Sequence, residues 1–194
     1  MRLRTGSDTK RNLLKITRDL IDRKGIDEIS MRTVGKAARL SRCALYRHFD
    51  GKESLLAAIA IENFEILTAR FDELERNIKD PRQLLFELGI AYYDFGIHNA
   101  GHYRLMFTTR WDEGKYPDVK EAAVGVFDKV ALCVSRALKT KRVNSKIVLE
   151  KTAILYAFIH GLVELHLAGH DEAEKGLADI ASLTHSALES ILAE

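Results

Sequence analysis

Residues 30–56 read SMRTVGKAARLSRCALYRHFDGKESLL, and the fold follows from how this stretch is parsed. Met31, Val34, Ala37 and Ala38 recur at the three-to-four spacing of one helical face. Ser30 stands ahead of them, where its side-chain oxygen accepts from an unpaired N–H of the first turn. Beyond Arg39 and Leu40, Ser41 is placed to cap a second short helix whose apolar positions are Leu45 and Phe49. Arg42, Cys43, Ala44, Tyr46, Arg47 and His48 are then left pointing mainly away from the core. A short helix that turns donors and small residues outward fits the DNA major groove. The stretch is read as a helix-turn-helix.

Upstream, helical periodicity predicts a first helix over 8–24, with Leu13, Ile16, Thr17, Leu20 and Ile21 inward and Gly25 as its stop. Residues 1–7 read as a basic, flexible arm. Downstream, Asp50-Gly51 is a turn signal and Lys52 opens a long helix to about Asn77. Pro81 starts another helix, Gly101 precedes a short segment over 102–111, and Pro117 starts the next. Two apolar helices follow, one over 145–170 and one carrying Leu177, Ile180, Leu183, Leu188, Ile191 and Leu192. The expected fold is all-α: a three-helix head over residues 1–50, joined by the long helix to a helical body over 51–194.

Charge separates these parts. Residues 1–50 hold thirteen Lys/Arg against six Asp/Glu, a net of +7, while residues 51–194 hold seventeen against twenty-two, a net of −5. A basic head on an acidic body is the footprint of a nucleic-acid-binding module. With 46% apolar residues in 194 the chain can bury a sizeable core. No run approaches the about eighteen apolar residues of a membrane span. The opening MRLRTGSDTK lacks the apolar centre of a signal peptide. A cytoplasmic protein with no membrane partner is expected, and its two cysteines, Cys43 and Cys133, suggest no disulfide framework.

The stretch also resembles the DNA-binding segment of TetR-type bacterial transcriptional regulators, through Val34, Ala37, Ala38, Ser41, Tyr46, His48, Phe49, Lys52 and Glu53. Arg39 stands where that family usually has Gly, and Cys43 where it usually has Gly, Pro or Thr. A positive φ at Arg39 would cost on the order of 1–2 kcal/mol. The resemblance implies that Tyr46, His48 and Lys52 contact backbone phosphates, and that the last two helices build a homodimer. Arg32 and Thr33 are further phosphate candidates, with Arg32 long enough to reach a guanine. Ser41, Arg42, Cys43, Ala44 and Arg47 complete the expected DNA-reading set, since Arg is the commonest partner of guanine O6 and N7. Packing of Tyr46 and His48 against the first helix is the alternative. A dimer would place two heads about 34 Å apart, one turn of DNA, to read a palindromic operator.

A small apolar or aromatic effector is expected among the body helices. Phe64, Tyr92, Phe95, Tyr103, Met106, Phe107, Trp111, Phe127 and Tyr156 are the candidate contacts, with His160 and Glu164 as polar anchors. Any one of these aromatics is more often plain core. HYRLMF and AFIHGLVEL resemble the body of a subset of the same regulators. The reading is a ligand-responsive regulator, a repressor released by its effector. The competing one is a non-regulatory helical dimer, either a metal-dependent enzyme or a protein-binding adaptor. The pairs His160/Glu164 and His166/His170 have the i, i+4 spacing of metal ligands. No HExxH, Cys cluster, phosphate loop or nucleophile elbow accompanies them, so no cofactor, metal or catalytic residue is expected. Cys43 as a redox sensor competes with Cys43 as an inert small residue.

Overall fold

Ser30 and Thr33 explain why the second helix begins where it does. Ser30 Oγ accepts from the Thr33 N–H at 3.1 Å while Thr33 Oγ1 accepts from the Ser30 N–H at 2.9 Å, a reciprocal capping box. Such local devices set the boundaries along a computed structural model that describes residues 6–193. Among these residues there are nine α-helices, one 3₁₀ turn at Ala173–Lys175 and no strand. The helices are α1 Gly6–Lys24, α2 Met31–Ala38, α3 Arg42–Tyr46, α4 Lys52–Asn77, α5 Pro81–His98, α6 Ala100–Phe107, α7 Pro117–Ala137, α8 Lys146–Leu167 and α9 Ile180–Leu192. The arm read over residues 1–7 lies outside the described residues, apart from Gly6 and Ser7 at the start of α1. Asp80 caps α5 by accepting from the Arg82 and Gln83 N–H groups, with Pro81 in the first turn where its missing N–H costs nothing.

Two compact units emerge. One takes the chain up to Phe64 together with Gly101–Ala122; the other takes Glu65–Ala100 and everything from Ala123 onward. The chain passes between them three times, after Phe64, Ala100 and Ala122, so α4 and α7 contribute residues to both units. The first unit packs α1 on α2 and α2 on α3 around Leu13, Ile21, Ile29, Val34 and Leu45, each at most 2% exposed. The tight α2–α3 turn needs a left-handed residue, and Arg39 supplies it at φ 55°, ψ 40°. Its N–H donates to Lys36 O, and the Leu40 N–H donates to Gly35 O at 3.0 Å, the paired bonds of a Schellman ending. The expected cost at Arg39 is thus incurred.

Gly101 and His102 at the start of α6 belong to the same unit. A Cβ on Gly101 would lie 2.9 Å from the Ile21 methyl, so only glycine lets α6 sit this close to α1. His102, buried, accepts from Asn63 at Nδ1 (3.1 Å) and donates from Nε2 to Asp22 (3.1 Å). Burial holds its pKa below the usual histidine value, against the opposing pull of Asp22.

In the second unit α5 packs against α8 and α9, and α8 against α9. Lys129 pairs with Asp72, and Arg136 with Glu75 at 2.5 Å, fastening α7 to the end of α4. Lys151 donates to the Ile191 and Ala193 carbonyls, satisfying acceptors that the end of α9 leaves unpaired. The apolar character of α8 is partly outward: Ile147 and Ile154 are 53% exposed, and Leu149 and Leu165 are exposed as well. The wide apolar stripe expected on α9 differs from what is found. Leu188 and Leu192 are buried, Ile180, Leu183 and Ile191 half-buried, and the outward side is Ala181, Ser182, His185, Ser186 and Glu189. Packing on α5 and α8 thus buries the stripe only in part within one chain. No helix among the described residues is long and apolar enough to cross a membrane.

Candidate nucleic-acid interface and ligand cavity

Helix α3 is five residues long, barely more than one turn, and its register is set by Ser41, whose Oγ accepts from the Ala44 N–H at 3.3 Å. Leu45 is 1% exposed and anchors the turn on α2. Around it Ser41, Arg42, Cys43, Tyr46 and Arg47 are exposed and His48 is half-buried. Ala44 is a correction: it is buried rather than presented outward, because in so short a helix it shares the inward side with Leu45. Ala37, expected inward on α2, is exposed, and Gly35 takes the inward place instead. A Cβ on Gly35 would lie 3.3 Å from Leu40 O and 3.6 Å from the Leu45 methyls, so glycine permits the close α2–α3 contact.

The outer faces of α2 and α3 form one groove lined by Arg32, Lys36, Arg42 and Tyr46, with Met31 and Leu40 at its floor. The Arg42 guanidinium lies 5.3 Å from the centre of the Tyr46 ring, which stiffens both side chains. Tyr46 is 40% exposed and so is not packed away against α1. Thr33, by contrast, has its hydroxyl engaged in the capping box and near the Ser30 and Glu28 carbonyls. Lys36 is the residue that sequence reasoning missed. Its signal was available, since it stands four residues after Arg32 on the same helical face.

Lys52 is exposed at the first position of α4, where unpaired N–H groups and the helix dipole favour an anion. Its neighbour Glu53 would repel a phosphate, yet that carboxylate is occupied. It accepts from Lys115 Nζ at 2.6 Å and the Tyr116 hydroxyl at 3.1 Å, and these bonds hold its pKa below the usual carboxylate value. Cys43 is exposed, whereas Cys133 is buried, donates to Pro81 O at 3.3 Å and has its thiol pushed up to about 12 by burial.

The expected effector contacts separate into two groups. Phe64, Tyr103, Met106, Phe107 and Trp111 fall in the first unit, the first three buried and Phe107 and Trp111 half-buried. Phe64 meets Phe107 edge-on at 5.4 Å, Tyr103 meets Phe107 at 5.2 Å, and Trp111 meets Tyr116 at 5.9 Å. None of these five lines the cleft of the second unit, which is walled by α5, α7, α8, α9 and Phe71 of α4. Tyr92, Phe127 and Tyr156 do line it; Phe95 and Glu164 do not, and Glu164 is exposed. Helical spacing made these aromatics look alike, but the helix each one faces separates them.

His160 supports the cleft from behind, sharing a 2.6 Å hydrogen bond with the Tyr92 hydroxyl and lying 4.2 Å from the Tyr156 ring. His166 bonds the Tyr93 hydroxyl and Asp171, each at 3.0 Å, and no group of three or more potential metal ligands exists among the described residues. The cleft is a narrow cavity of about 60 Å³. That is space for a few waters, at roughly 10–15 Å³ each.

Burial pushes the His160 pKa from 6.5 down to about 4. In the unfolded chain the ring gains its proton near 6.5, so unfolding takes up a proton below that pH. The stabilisation is complete above 6.5 and is lost as pH falls from 6.5 to 4. Allowing for solvent screening of a half-buried ring, the loss is on the order of 1–2 kcal/mol. Urea midpoints at pH 7, 5.5 and 4 are therefore expected to fall less steeply in His160→Gln than in the native protein. Parallel curves would deny His160 this role.

Comparison with known proteins gives concordant matches. A model described as bacterial regulatory proteins, tetR family, matches residues 13–59, and one described as tetracyclin repressor-like, C-terminal domain, matches residues 85–190. The HTH-type transcriptional regulator YobS of Bacillus subtilis strain 168 is 23% identical over 183 residues, covering 91% of this chain and 88% of its own. UidR of Escherichia coli K12, also an HTH-type transcriptional regulator, is 34% identical over 65 residues, covering 34% of this chain and 33% of its own. Among solved structures, a protein with unknown function from Rhodococcus sp. RHA1 superposes with a TM-score of 0.80 at 22% identity, over 95% of this chain and 93% of that one. A TetR-family transcriptional regulator from Bordetella parapertussis 12822 superposes with a TM-score of 0.66 at 14% identity, over 94% and 93%.

Proposed function

Because this chain belongs to the tetR family of bacterial regulatory proteins, we propose that it is a homodimeric repressor whose grip on a palindromic operator is released by a small molecule held in the cleft of its second unit. The observation that carries the DNA half of this reading is the groove lined by Arg32, Lys36, Arg42 and the exposed Tyr46. Guanidinium groups there serve guanine edges, while Lys52 at the α4 N-terminus serves phosphate. Exposed Ile147, Ile154 and Leu165 on α8, with the small exposed Ala157 and Gly161 between them, supply the face that a second copy covers. The release half is a shift between conformations. Because the cleft has room for only a few waters, a ring-sized effector binds a wider arrangement of α5, α8 and α9 better than this one, and that difference in affinity drives the change. Helix α4, with Lys52 at one end and Phe71 lining the cleft, is the covalent route to the DNA-reading helices.

Selection of duplex DNA from a random pool tests the function. A palindrome with half-sites about 34 Å apart is expected to emerge, and enrichment of no sequence would defeat the repressor reading. On the selected site, Lys52→Ala is expected to lower affinity for all sequences alike and to reduce the slope of log K against log salt by about one. An unchanged slope would take Lys52 off the phosphate.

A further inference from the structure

Thr17, Thr108 and Thr152 all donate back to the carbonyl four residues earlier, at 2.8, 2.7 and 2.7 Å. Thr184, on α9, does not. Its side chain is 4% exposed, it lines the cleft, and its Oγ1 is buried with no hydrogen-bond partner. Its methyl is turned towards Gly89 of α5, where an added Cβ would come within 3.2 Å. Buried hydroxyls are nearly always hydrogen-bonded, because leaving one unmade forfeits its hydration without return.

Three other hydroxyls line the cleft, and of these that of Tyr156 belongs to a residue that is 40% exposed, not buried as Thr184 is. The Thr152 hydroxyl is committed to Val148 O, and the Tyr92 hydroxyl to His160. No lining side chain is an Asp, Glu, Lys or Arg, so a ligand bearing full charge would be buried there without a counter-charge. We propose that the effector is an uncharged, mainly apolar molecule carrying one hydrogen-bonding group, and that Thr184 Oγ1 is the atom that holds it. This rests on the reading of the cleft as the effector site, and gives that site a chemical class and a polar anchor.

Calorimetric titration of the full chain at neutral pH with naphthalene, 2-naphthol and 2-naphthoate tests it. The native protein is expected to bind 2-naphthol about tenfold more tightly than naphthalene, the equivalent of one net hydrogen bond. The carboxylate is expected to bind at least about tenfold more weakly than 2-naphthol. Thr184→Val, which keeps the shape, is expected to bind 2-naphthol and naphthalene alike. Thr184→Ser, which keeps the hydroxyl, is expected to retain the preference. A preference that survives Thr184→Val, or a carboxylate bound as tightly as the naphthol, overturns the proposal. Equal binding of naphthalene and 2-naphthol by the native protein removes Thr184 and leaves the cleft as the effector site. No binding of any of the three removes both.

Discussion

Ile154→Glu is expected to leave the protein monomeric at micromolar concentration and to weaken operator binding at least about a hundredfold. Ile154 is 53% exposed in the single chain, in line along α8 with Ile147, Ala157, Gly161 and Leu165. If a second copy covers this face, a carboxylate at position 154 is removed from water in both protomers at once, at several kcal/mol for each ion. Small residues between the larger ones make matters worse for the variant. They let two helices approach closely and leave no room for a hydrated charge. A single head then binds one half-site without the gain that joining two heads supplies, commonly a factor of 10²–10⁴. Sedimentation equilibrium reads the first effect and fluorescence anisotropy on the selected operator reads the second. A variant that remains dimeric and binds as before would place the dimer contact elsewhere than α8.

Phe64→Ala is expected to cost about 3–5 kcal/mol of stability, a large share of the roughly 5–15 kcal/mol that holds a domain of this kind together. Phe64 is 1% exposed and meets Phe107 edge-on at 5.4 Å in the interior of the first unit. Truncation leaves a void beside Phe107 and removes the edge-to-face contact. The result separates two roles that the sequence left undivided. A core residue lowers the urea midpoint and with it the fraction of DNA-competent protein. An effector contact would leave the midpoint in place and change only ligand affinity. Melting and titration of the same variant distinguish them.

Where local devices set an element, the sequence was readable. Ser30, Ser41, Pro81 and Pro117 mark helix starts, and the helix opened by Lys52 ends at Asn77 as its periodicity predicts. The exposed Arg42, Tyr46 and Arg47 follow from the same pattern, whereas the break between α5 and α6 falls at Asn99, and Gly101, expected to precede the next segment, lies inside α6. Legibility ends where a residue's neighbour comes from far along the chain. Ala37 and Ala44 exchanged their expected sides because a helix of about two turns, or one, is oriented by what it touches more than by its period. Tyr92 and Tyr103 carry the same local signal, yet one lines the cleft and the other is interior to the DNA-reading unit. Thr184 shows the limit most sharply. A threonine on an apolar helix looks ordinary in sequence, and only the missing bond to a carbonyl four residues back sets it apart.

The discontinuous first unit bears on how the chain matures during synthesis. Its DNA-reading helices emerge from the ribosome before residue 50, but Phe64 has no Phe107 to meet, and Asn63 and Asp22 no His102, until the segment ending at Ala122 has also appeared. For the time it takes to add about sixty residues, some seconds at the usual pace of translation, the nascent head waits with its apolar floor uncovered. A fragment ending near residue 64 is fixed permanently in that state, so the reading head needs the chain through Ala122 and cannot be cut off after α4 like a cap.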